Sequence, residues 1–303
     1  MKYLRLPLLL SAAFALAFLS SCQMEQVSEA DAVSQETMDK VLALGFSIDG
    51  IEKVEEGVRV ERDIILTHEM LESTPDVHEV PNAEQYRTTN VVNTGGSRVI
   101  TVYMEVETSG GGGGGGGGNG NGGGKGKKST AAAAFPSTYD LALDEAISRY
   151  NGENLDLTFQ RVTSSTGADI VFSRLGKRDE RQGVLGSAGF PTNQGDPYGQ
   201  IQMSGVLQSS YGLSVDGIAT IMAHEMGHCI GFRHTDYFDR SISCGGSAYN
   251  EGNGGVGDIH IPGTPTGATL QAQSWMLSCT DGSNRDFNNA DKTALSWMYS
   301  GNF

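Results

Sequence analysis

The sequence predicts an α+β fold in which a mixed sheet packs against two main helices. Residues Arg98–Glu107 alternate between apolar and polar side chains, which is typical of a strand with one buried face. Apolar residues recur at helical spacing over Pro136–Tyr150, where Ser137 is the expected N-cap. Val215–Ile230 predicts a second, largely apolar helix. Strand patterns between these two helices complete the predicted sheet.

The composition limits the partners and the core. The 303 residues suffice for one sizeable domain and something smaller. A formal net charge of −15 argues against nucleic acid and against an anionic membrane surface as partners. The 42 glycines and the aromatic content of 8% predict long loops around a core built from few strands and helices.

Residues 1–22 have the pattern of an export signal. Lys2 and Arg5 precede the apolar run Leu6–Leu19, which is short for a membrane-spanning helix. The sequence that follows resembles a bacterial lipobox, and cleavage there would leave Cys22 as a lipidated N-terminus. The alternative is an ordinary cleaved signal. We expect export to the bacterial cell envelope, with the protein held at the outer membrane or cell surface only by this lipid.

Residues 23–90 predict a small N-terminal α+β unit. Thr37–Leu44 has helical spacing, and Val58–Val60 and Asp63–Thr67 have strand patterns. A unit of this size is marginally stable alone and depends on its neighbour. We interpret it as a propeptide-like or accessory unit that precedes a larger domain at residues 91–303.

A glycine tract interrupts the larger domain. Residues 110–124 are all glycine except Asn119 and Asn121, so the tract cannot bury a core and is expected to behave as a flexible coil. From composition alone, the tract is either an interdomain linker or an insertion within one domain.

Further strand patterns follow the first helix at Leu155–Val162, Ala168–Ser173, Gly183–Phe190 and Gln200–Met203. After the second helix, a loop-rich stretch extends to Ser274. Asn289–Tyr299 closes the chain as a helix, for which Asn288 or Asn289 is the expected N-cap.

Three histidines in an eleven-residue window carry the chemistry. His224 and His228 lie about one helical turn apart, so both imidazoles can bind one ion. Glu225 is turned by about 100° from His224 and can reach a water molecule on that ion without being a ligand. Gly231 can adopt the left-handed conformation that ends the helix and returns His234 to the metal. Three neutral imidazoles leave a fourth position open, as in a catalytic zinc site.

Other interpretations of these residues are weaker. Five residue types at fixed spacing match by chance on the order of one time in ten thousand or less, which disfavours ordinary surface or core histidines. A site with a downstream glutamate as third ligand would need Glu251, which lies in a glycine-rich loop. Asp236 can orient His234 by a hydrogen bond, cap a helix or form a surface ion pair.

Cys244 and Cys279 are the favoured disulfide pair, because both lie in glycine-rich loops that flank the same long excursion. Cys229 lies within the helix and is interpreted as a small buried residue. A bridge between Cys229 and Cys244 is the competing pairing.

The extended motif His224–His234 resembles that of the metzincins, whose active site rests on a tight turn containing methionine. Met276 is the best match for that turn. In detail the motif resembles that of the bacterial dual-action HEIGH metallopeptidases, with Met226 in place of the usual isoleucine. The resemblance covers about Arg98–Phe303. It places the glycine tract between the first strand and the first helix, as an insertion in the catalytic domain.

The resemblance implies a zinc-dependent endopeptidase with a C-terminal subdomain around the methionine turn. His224, His228 and His234 would bind one catalytic Zn²⁺, and Glu225 would act as general base toward zinc-bound water and then protonate the leaving amine. A polypeptide substrate would lie along the strand near Gly186–Phe190. The alternatives are a surface-anchored binding or adhesion module with a structural zinc and an inactive homologue. Glu225 argues against both.

Overall fold

The fold combines helices and strands in one mixed arrangement, which confirms the predicted α+β class. The computed structural model describes residues 32–44, 46–72, 85–107, 134–252, 255–266 and 273–301. The elements up to the first long helix are α1 (Gln35–Ala43), β1 (Glu52–Val54), β2 (Gly57–Val60), β3 (Ile64–Thr67), α2 (His68–Leu71), β4 (Tyr86–Arg87), β5 (Arg98–Met104) and α3 (Thr138–Asn151). They are followed by β6 (Leu157–Val162), β7 (Ile170–Arg174), α4 (Lys177–Gln182), β8 (Gly186–Ala188), β9 (Gln200–Met203), α5 (Leu207–Tyr211), α6 (Val215–Cys229), α7 (Ser241–Cys244), β10 (Ile259–His260) and α8 (Asn289–Tyr299).

The predicted export signal at residues 1–22, with the lipidation site Cys22, lies outside the described residues, and so does the glycine tract 110–124. The strand β5 and the helix α3 flank the tract, in the order that the sequence predicts. Within the described ranges, no helix is long and apolar enough to cross a membrane.

An eight-stranded mixed sheet, in the order β1-β2-β3-β8-β9-β7-β5-β6, organises the described residues. β5 pairs in parallel with both β6 and β7, and β7 pairs in parallel with β9. β8 runs antiparallel to β9. The antiparallel strands β2 and β3 continue the sheet beyond β8, because Ile64 of β3 pairs with Ala188 of β8. The N-terminal strands and those of the larger domain therefore share one sheet.

The helices α3 and α6 pack together in the main core, with the buried side chains of β5. Ile100, Val102 and Met104 of β5 are buried, while Val99 on the opposite face is half exposed. Tyr150 of α3 donates its hydroxyl to the carbonyl oxygen of Ala223 in α6 at 2.7 Å. The tyrosine ring is thus buried without leaving its hydroxyl unpaired. These contacts fix the position of α6 relative to the sheet.

Two predicted details of the elements change, and one is confirmed. The strand predicted over Arg98–Glu107 ends at Met104. The reason is that its pairing with β6 ends at Tyr103 and its pairing with β7 ends at Met104. Ser137 does not cap α3 with its side chain, since its backbone is already helical at φ −57° and ψ −23°. Asn288 caps α8 in a capping box, as predicted.

A second apolar cluster, separate from the main core, lies mostly among the N-terminal residues. Val41, Phe46 and Ile64 contribute from the N-terminal side, and Phe190 and Val256 contribute from the larger domain. The described residues from Val33 onward belong to one compact unit. The division at residue 90 into a propeptide-like or accessory unit and a catalytic domain stays a prediction.

Candidate metal centre

The helix α6 carries two of the histidines and has well-defined ends. Its N-cap is Ser214, whose hydroxyl oxygen accepts a hydrogen bond from the Gly217 amide at 3.1 Å. The helix ends at Cys229, and Gly231 follows with a φ of +104°. A β-carbon on Gly231 would lie 3.1 Å from the carbonyl oxygen of Asn90. Both the backbone angle and the close packing favour glycine at the turn that the sequence predicts.

The chain beyond this turn returns His234 to the helix. One ligand atom from each of His224, His228, His234 and Asp63 lies within 4.8 Å of the other three. The three imidazoles are buried. The structure thus brings together the three histidines that the sequence indicates, and it adds Asp63, which the sequence does not.

The imidazoles on α6 are oriented by partners on their Nδ1 atoms. His224 Nδ1 lies 2.8 Å from the carbonyl oxygen of Trp275, and His228 Nδ1 lies 2.8 Å from that of Phe232. Because a carbonyl oxygen only accepts, both Nδ1 atoms carry the proton. The Nε2 atoms of these rings are then both acceptors, and they face each other at 3.1 Å. Two acceptors at this distance repel each other unless a cation lies between them.

The arrangement fits a zinc ion. Two nitrogen ligands, each about 2.0–2.1 Å from a tetrahedral ion, lie roughly 3.3 Å apart. The two Nε2 atoms on α6 have nearly this separation. His234 Nε2 is buried, and the Asp63 carboxylate oxygen 3.3 Å away is too poorly aligned to complete a hydrogen bond to it. Imidazole nitrogens and a carboxylate oxygen are ligands that Zn²⁺ prefers.

The electrostatic environment differs among the three histidines. Burial lowers the pKa of His224 to about 4 and the pKa of His228 well below its ordinary value, so both rings are neutral. Burial also lowers the pKa of His234, but the carboxylates of Glu251 and Asp63 outweigh it and raise that pKa to about 10. A cation on Nε2 of His234 would take the place of the proton that these carboxylates favour.

Glu251 orients the third histidine, a role that the sequence analysis does not assign to it. Its Oε1 atom lies 2.7 Å from His234 Nδ1, and its side chain is fully buried. Burial raises the pKa of Glu251, but His234 and nearby arginines outweigh this effect and lower it to about 2. A carboxylate behind a metal-binding imidazole fixes the ring and raises its basicity. Asp236 instead accepts hydrogen bonds from the amides of Ser278 (2.9 Å) and Ser243 (3.2 Å).

Asp63 approaches the histidines from the N-terminal residues. Its Oδ2 atom lies 3.3 Å from His234 Nε2, and its Oδ1 atom is buried without a hydrogen-bond partner in the described part of the chain. Burial raises the pKa of Asp63, but the charges of His234 and Arg240 together with the polar contact to His234 outweigh burial and lower it. Asp63 is therefore an ionised and incompletely partnered carboxylate at the cluster.

Met276 supports the cluster from below α6. Its side chain is fully buried, and a β-carbon on Gly227 would lie 2.6 Å from its sulfur. The absence of a side chain at Gly227 therefore admits the methionine. The Met276 carbonyl oxygen accepts the Thr235 amide at 2.8 Å, and the carbonyl of the preceding Trp275 holds the first histidine. The turn thus helps to position both the first and the third histidine.

Glu225 lies beside the cluster rather than in it. Its carboxylate packs against Gly186 of β8, where a β-carbon would overlap its Oε1 atom. Its Oε2 atom is buried and has no hydrogen-bond partner within the described ranges. Burial raises the pKa of Glu225 well above its ordinary value, and the charge of Asp63 adds to this effect. A desolvated carboxylate with a raised pKa is well suited to take up a proton.

A disulfide between Cys244 and Cys279 closes the loop that leads to the methionine turn, across a sequence separation of 35. It joins the pair that the sequence favours. Cys229 is a buried free thiol, and burial raises its pKa well above the ordinary value. The Cys279 amide donates to the Ser243 hydroxyl at 2.9 Å, so the bridge and the hydrogen bonds of Asp236 meet at one place.

We predict that replacing both bridge cysteines by serine lowers the free energy of unfolding by about 3–4 kcal/mol, because the bridge no longer restricts the unfolded chain. In a domain of this size, that loss corresponds to a Tm lower by roughly 6–16 °C. Scanning calorimetry on the variant and on the reduced parent protein measures it. An unchanged Tm in both samples would show that the loop is held by its hydrogen bonds alone.

The fold and the cluster together define a class of protein. A helix-borne histidine pair, a third histidine after a glycine turn, an adjacent carboxylate and a methionine turn in an α+β fold are the features of metzincin-type metallopeptidases.

The chain belongs to the dual-action HEIGH metallopeptidases, whose family model matches residues 126–299, more than half of the chain. It is therefore a zinc-dependent metallopeptidase that acts on polypeptides. The chain is similar to two solved structures of myroilysin. One is 15% identical, with a TM-score of 0.37, and the match covers 70% of this chain and 99% of that chain. The other is 14% identical, with a TM-score of 0.35, and the match covers 78% and 98%. No curated protein matches the chain.

Proposed function

We propose that the protein is a secreted, lipid-anchored zinc endopeptidase in which His224, His228 and His234 bind the ion and Glu225 is the general base. The observation that carries this proposal is the pair of facing Nε2 atoms beside the buried Glu225 carboxylate, whose Oε2 atom lacks a hydrogen-bond partner in the described ranges. When bound, zinc supplies the Lewis acidity that polarises the scissile carbonyl and stabilises the developing negative charge.

The residues around the cluster would perform the remaining tasks. Glu225 takes up a proton from the attacking water and then donates it to the leaving amine. The strand β8, once the side that pairs with β3 is free, would pair with an extended substrate and hold the scissile bond near the histidines. A cavity of about 170 Å³, bordered by Thr220, Ile221 and Leu277, lies next to Glu225 and would receive a substrate side chain.

A structural zinc site is the second candidate function, because Asp63 offers a fourth protein ligand. Closed sites with four protein ligands are typical of structural zinc. Glu225 argues against this candidate. A buried carboxylate oxygen without a hydrogen-bond partner, such as Oε2 of Glu225, costs stability, and a structural site gains nothing from it. The carboxylate has a use only if the site performs proton transfer.

A peptide-library digest with and without a chelator tests the proposed function. The library is treated with the unmodified chain and with Asp63→Ala, since the Asp63 carboxylate lies at the cluster. We expect internal peptide bonds to be cleaved by at least one of the two proteins, with loss of cleavage in chelator and recovery on addition of zinc. The absence of chelator-sensitive cleavage by both would contradict the proposal.

The lipid anchor rests on the sequence of residues 1–22. The basic residues Lys2 and Arg5, the short apolar run and the lipobox-like exit at Cys22 all support it. Expression in a bacterial host with an outer membrane, followed by fractionation, tests it. Cys22→Ser is expected to move the protein from the membrane fraction to the soluble fraction, and an unchanged distribution would contradict the anchor.

We predict that Gly186→Ala lowers kcat/KM by about tenfold to a hundredfold without loss of zinc, because the new methyl group displaces the Glu225 carboxylate. The matched control is Gly199→Ala, whose β-carbon would make an ordinary 3.4 Å contact with the Asp169 carbonyl oxygen. The kcat/KM of each variant is measured with a fluorogenic peptide. Both substitutions are made in whichever of the two proteins, the unmodified chain or Asp63→Ala, cleaves the library faster. Equal rates for the two variants would show that Glu225 is free to move without consequence.

A further inference from the structure

We propose that Asp63 closes the metal centre of this chain as its fourth protein ligand, and that the segment Gln35–Leu71 thereby keeps the peptidase latent. The inference rests on the proposed function of the three histidines and Glu225. It assigns to the N-terminal residues a regulatory role exerted by a carboxylate of the same chain.

The position of Asp63 is the first observation that carries the inference. One of its oxygens lies within 4.8 Å of a ring nitrogen of each of the three histidines. Its other oxygen is buried and unpartnered among the described residues. A desolvated carboxylate is strongly destabilised unless a cation or donors compensate it. The facing acceptor nitrogens of His224 and His228 have the same requirement, so one cation satisfies all of these groups.

The backbone that presents Asp63 is the second observation. Val60 and Ile64 pair across the β2–β3 hairpin, and the three residues between them form its tip. Glu61 and Arg62 in this tip have φ values of +57° and +78°, a region that residues other than glycine rarely adopt. Such angles are unfavourable for residues with a side chain and persist where surrounding contacts impose them.

Contacts of the hairpin tip with the larger domain impose this conformation. The Tyr249 hydroxyl donates to Glu61 Oε1 at 2.9 Å, and the Arg240 guanidinium donates to the same carboxylate. Both partners lie in the loop that follows the third histidine. The tip is therefore fixed beside the cluster by charged and polar contacts that flank Asp63.

The third observation is that the N-terminal hairpin occupies the strand edge that a substrate would use. The Ala188 amide of β8 donates to the Asp63 carbonyl oxygen at 2.8 Å, and Ile64 pairs with the same residue. The apolar cluster under β3 and the ion pair between Arg59 and Asp179 (3.1 Å) hold the hairpin there. A substrate strand can pair with β8 only when this hairpin is displaced, and loss of a bond between Asp63 and the metal would make that displacement easier.

The chemistry of the blocking group is that of a carboxylate, not of a thiol. Cys244 and Cys279 are joined to each other, and Cys229 is buried in α6. Cys22, in the sequence before the described residues, is the predicted lipid attachment site. Latency of this kind is relieved by removal or displacement of the hairpin and does not respond to thiol reagents.

Cobalt substitution tests the ligand role with a readout that is independent of activity. The chain carrying Glu225→Gln is loaded with Co²⁺, and so are two double variants that also carry Asp63→Ala or Asp63→Asn. The visible spectrum and the affinity for acetohydroxamate are compared among the three proteins. Asp49→Asn is the matched control, because it removes an exposed carboxylate from the same segment. We expect both Asp63 variants to alter the cobalt spectrum and to bind acetohydroxamate at least tenfold more tightly, while the control remains like its parent.

Other results would overturn the inference. Superimposable spectra and equal hydroxamate affinities would show that Asp63 is not a ligand. Loss of cobalt from both Asp63 variants would make Asp63 a structural ligand rather than a reversible block. Cobalt content and Tm, measured on every sample, exclude misfolding as the cause.

Peptide cleavage with Glu225 intact separates this inference from the proposed function. We expect Asp63→Ala to cleave at least tenfold faster than the unmodified chain. If the Asp63 substitutions change the cobalt spectrum but no variant cleaves peptides, the proposed endopeptidase function would be contradicted, while Asp63 would still be a metal ligand. Equal cleavage by the unmodified chain and Asp63→Ala would overturn latency and leave the peptidase in place.

Discussion

Glu225→Gln is expected to lower kcat/KM for peptide cleavage by about 10²–10⁴-fold while one zinc ion per chain stays bound. The carboxylate lies next to the histidine cluster but outside the set of four residues that share ligand distances. Glutamine has nearly the same shape, so the packing against Gly186 is kept, but it cannot take up a proton from water. Kinetics on a fluorogenic peptide and metal analysis of the same sample measure both quantities in the Asp63→Ala background.

The control for this substitution is Glu105→Gln, which makes the same chemical change at an exposed position after β5. It should change neither the rate nor the zinc content. If the Glu225→Gln variant cleaves at the parent rate, Glu225 is not the general base. Loss of zinc in proportion to activity would show that Glu225 holds the metal rather than the proton.

Removal of the metal is expected to cause the second large effect, a marked loss of thermal stability. Without an ion, the facing Nε2 atoms of His224 and His228 and the buried carboxylate of Asp63 lose their common partner. Zinc present at about a thousand times its dissociation constant stabilises the folded state by roughly 4 kcal/mol. For a domain of this size, this corresponds to a Tm lower by roughly 8–16 °C in chelator.

Two histidine variants test whether this effect belongs to the cluster. His228→Ala should have a low Tm that chelator no longer changes. His260→Ala is the matched control, because His260 bonds to the Thr264 hydroxyl at 2.9 Å and is not part of the cluster. It should respond to chelator as the parent protein does. If chelator leaves the Tm of the parent unchanged, the folded state does not depend on a metal at this site.

The residues of α6 could be read from the sequence because their relation to one another is local. Helical spacing alone places His224 and His228 on one face, and the glycine at 231 explains how the chain turns back to His234. The methionine turn at Met276 can be identified in the sequence only through the family resemblance, because no local pattern of residues marks it. Its physical reason, the space left by Gly227, becomes visible only when α6 and Met276 are packed together.

Glu251 and Asp63 could not be assigned from the sequence, because nothing local marks them. Glu251 lies in a glycine-rich loop without periodicity, and its position behind His234 depends on the path of that loop. Asp63 reaches the cluster only because β3 pairs with β8, a contact between distant parts of the chain. The N-terminal strands were predicted, but a strand pattern does not tell which sheet edge a strand will join.

The shortest elements were missed for a different reason. The two-residue strands β4 and β10 pair with each other, and α4, α5 and α7 have six residues or fewer. Such segments carry too few residues to show a period. Ser137 occupies the N-cap position of α3, as its residue type predicts, but its backbone angles are helical and its side chain makes no capping hydrogen bond.

Anomalous diffraction at the zinc absorption edge, from crystals of the full chain carrying Glu225→Gln, tests the central claim most directly. We expect one strong peak about 2.0–2.1 Å from the Nε2 atom of each of His224, His228 and His234, with the Asp63 carboxylate as the fourth ligand. The peak should be present in these crystals although they lack the Glu225 carboxylate. A zinc peak elsewhere, or no peak at these histidines in crystals grown with zinc, would contradict it.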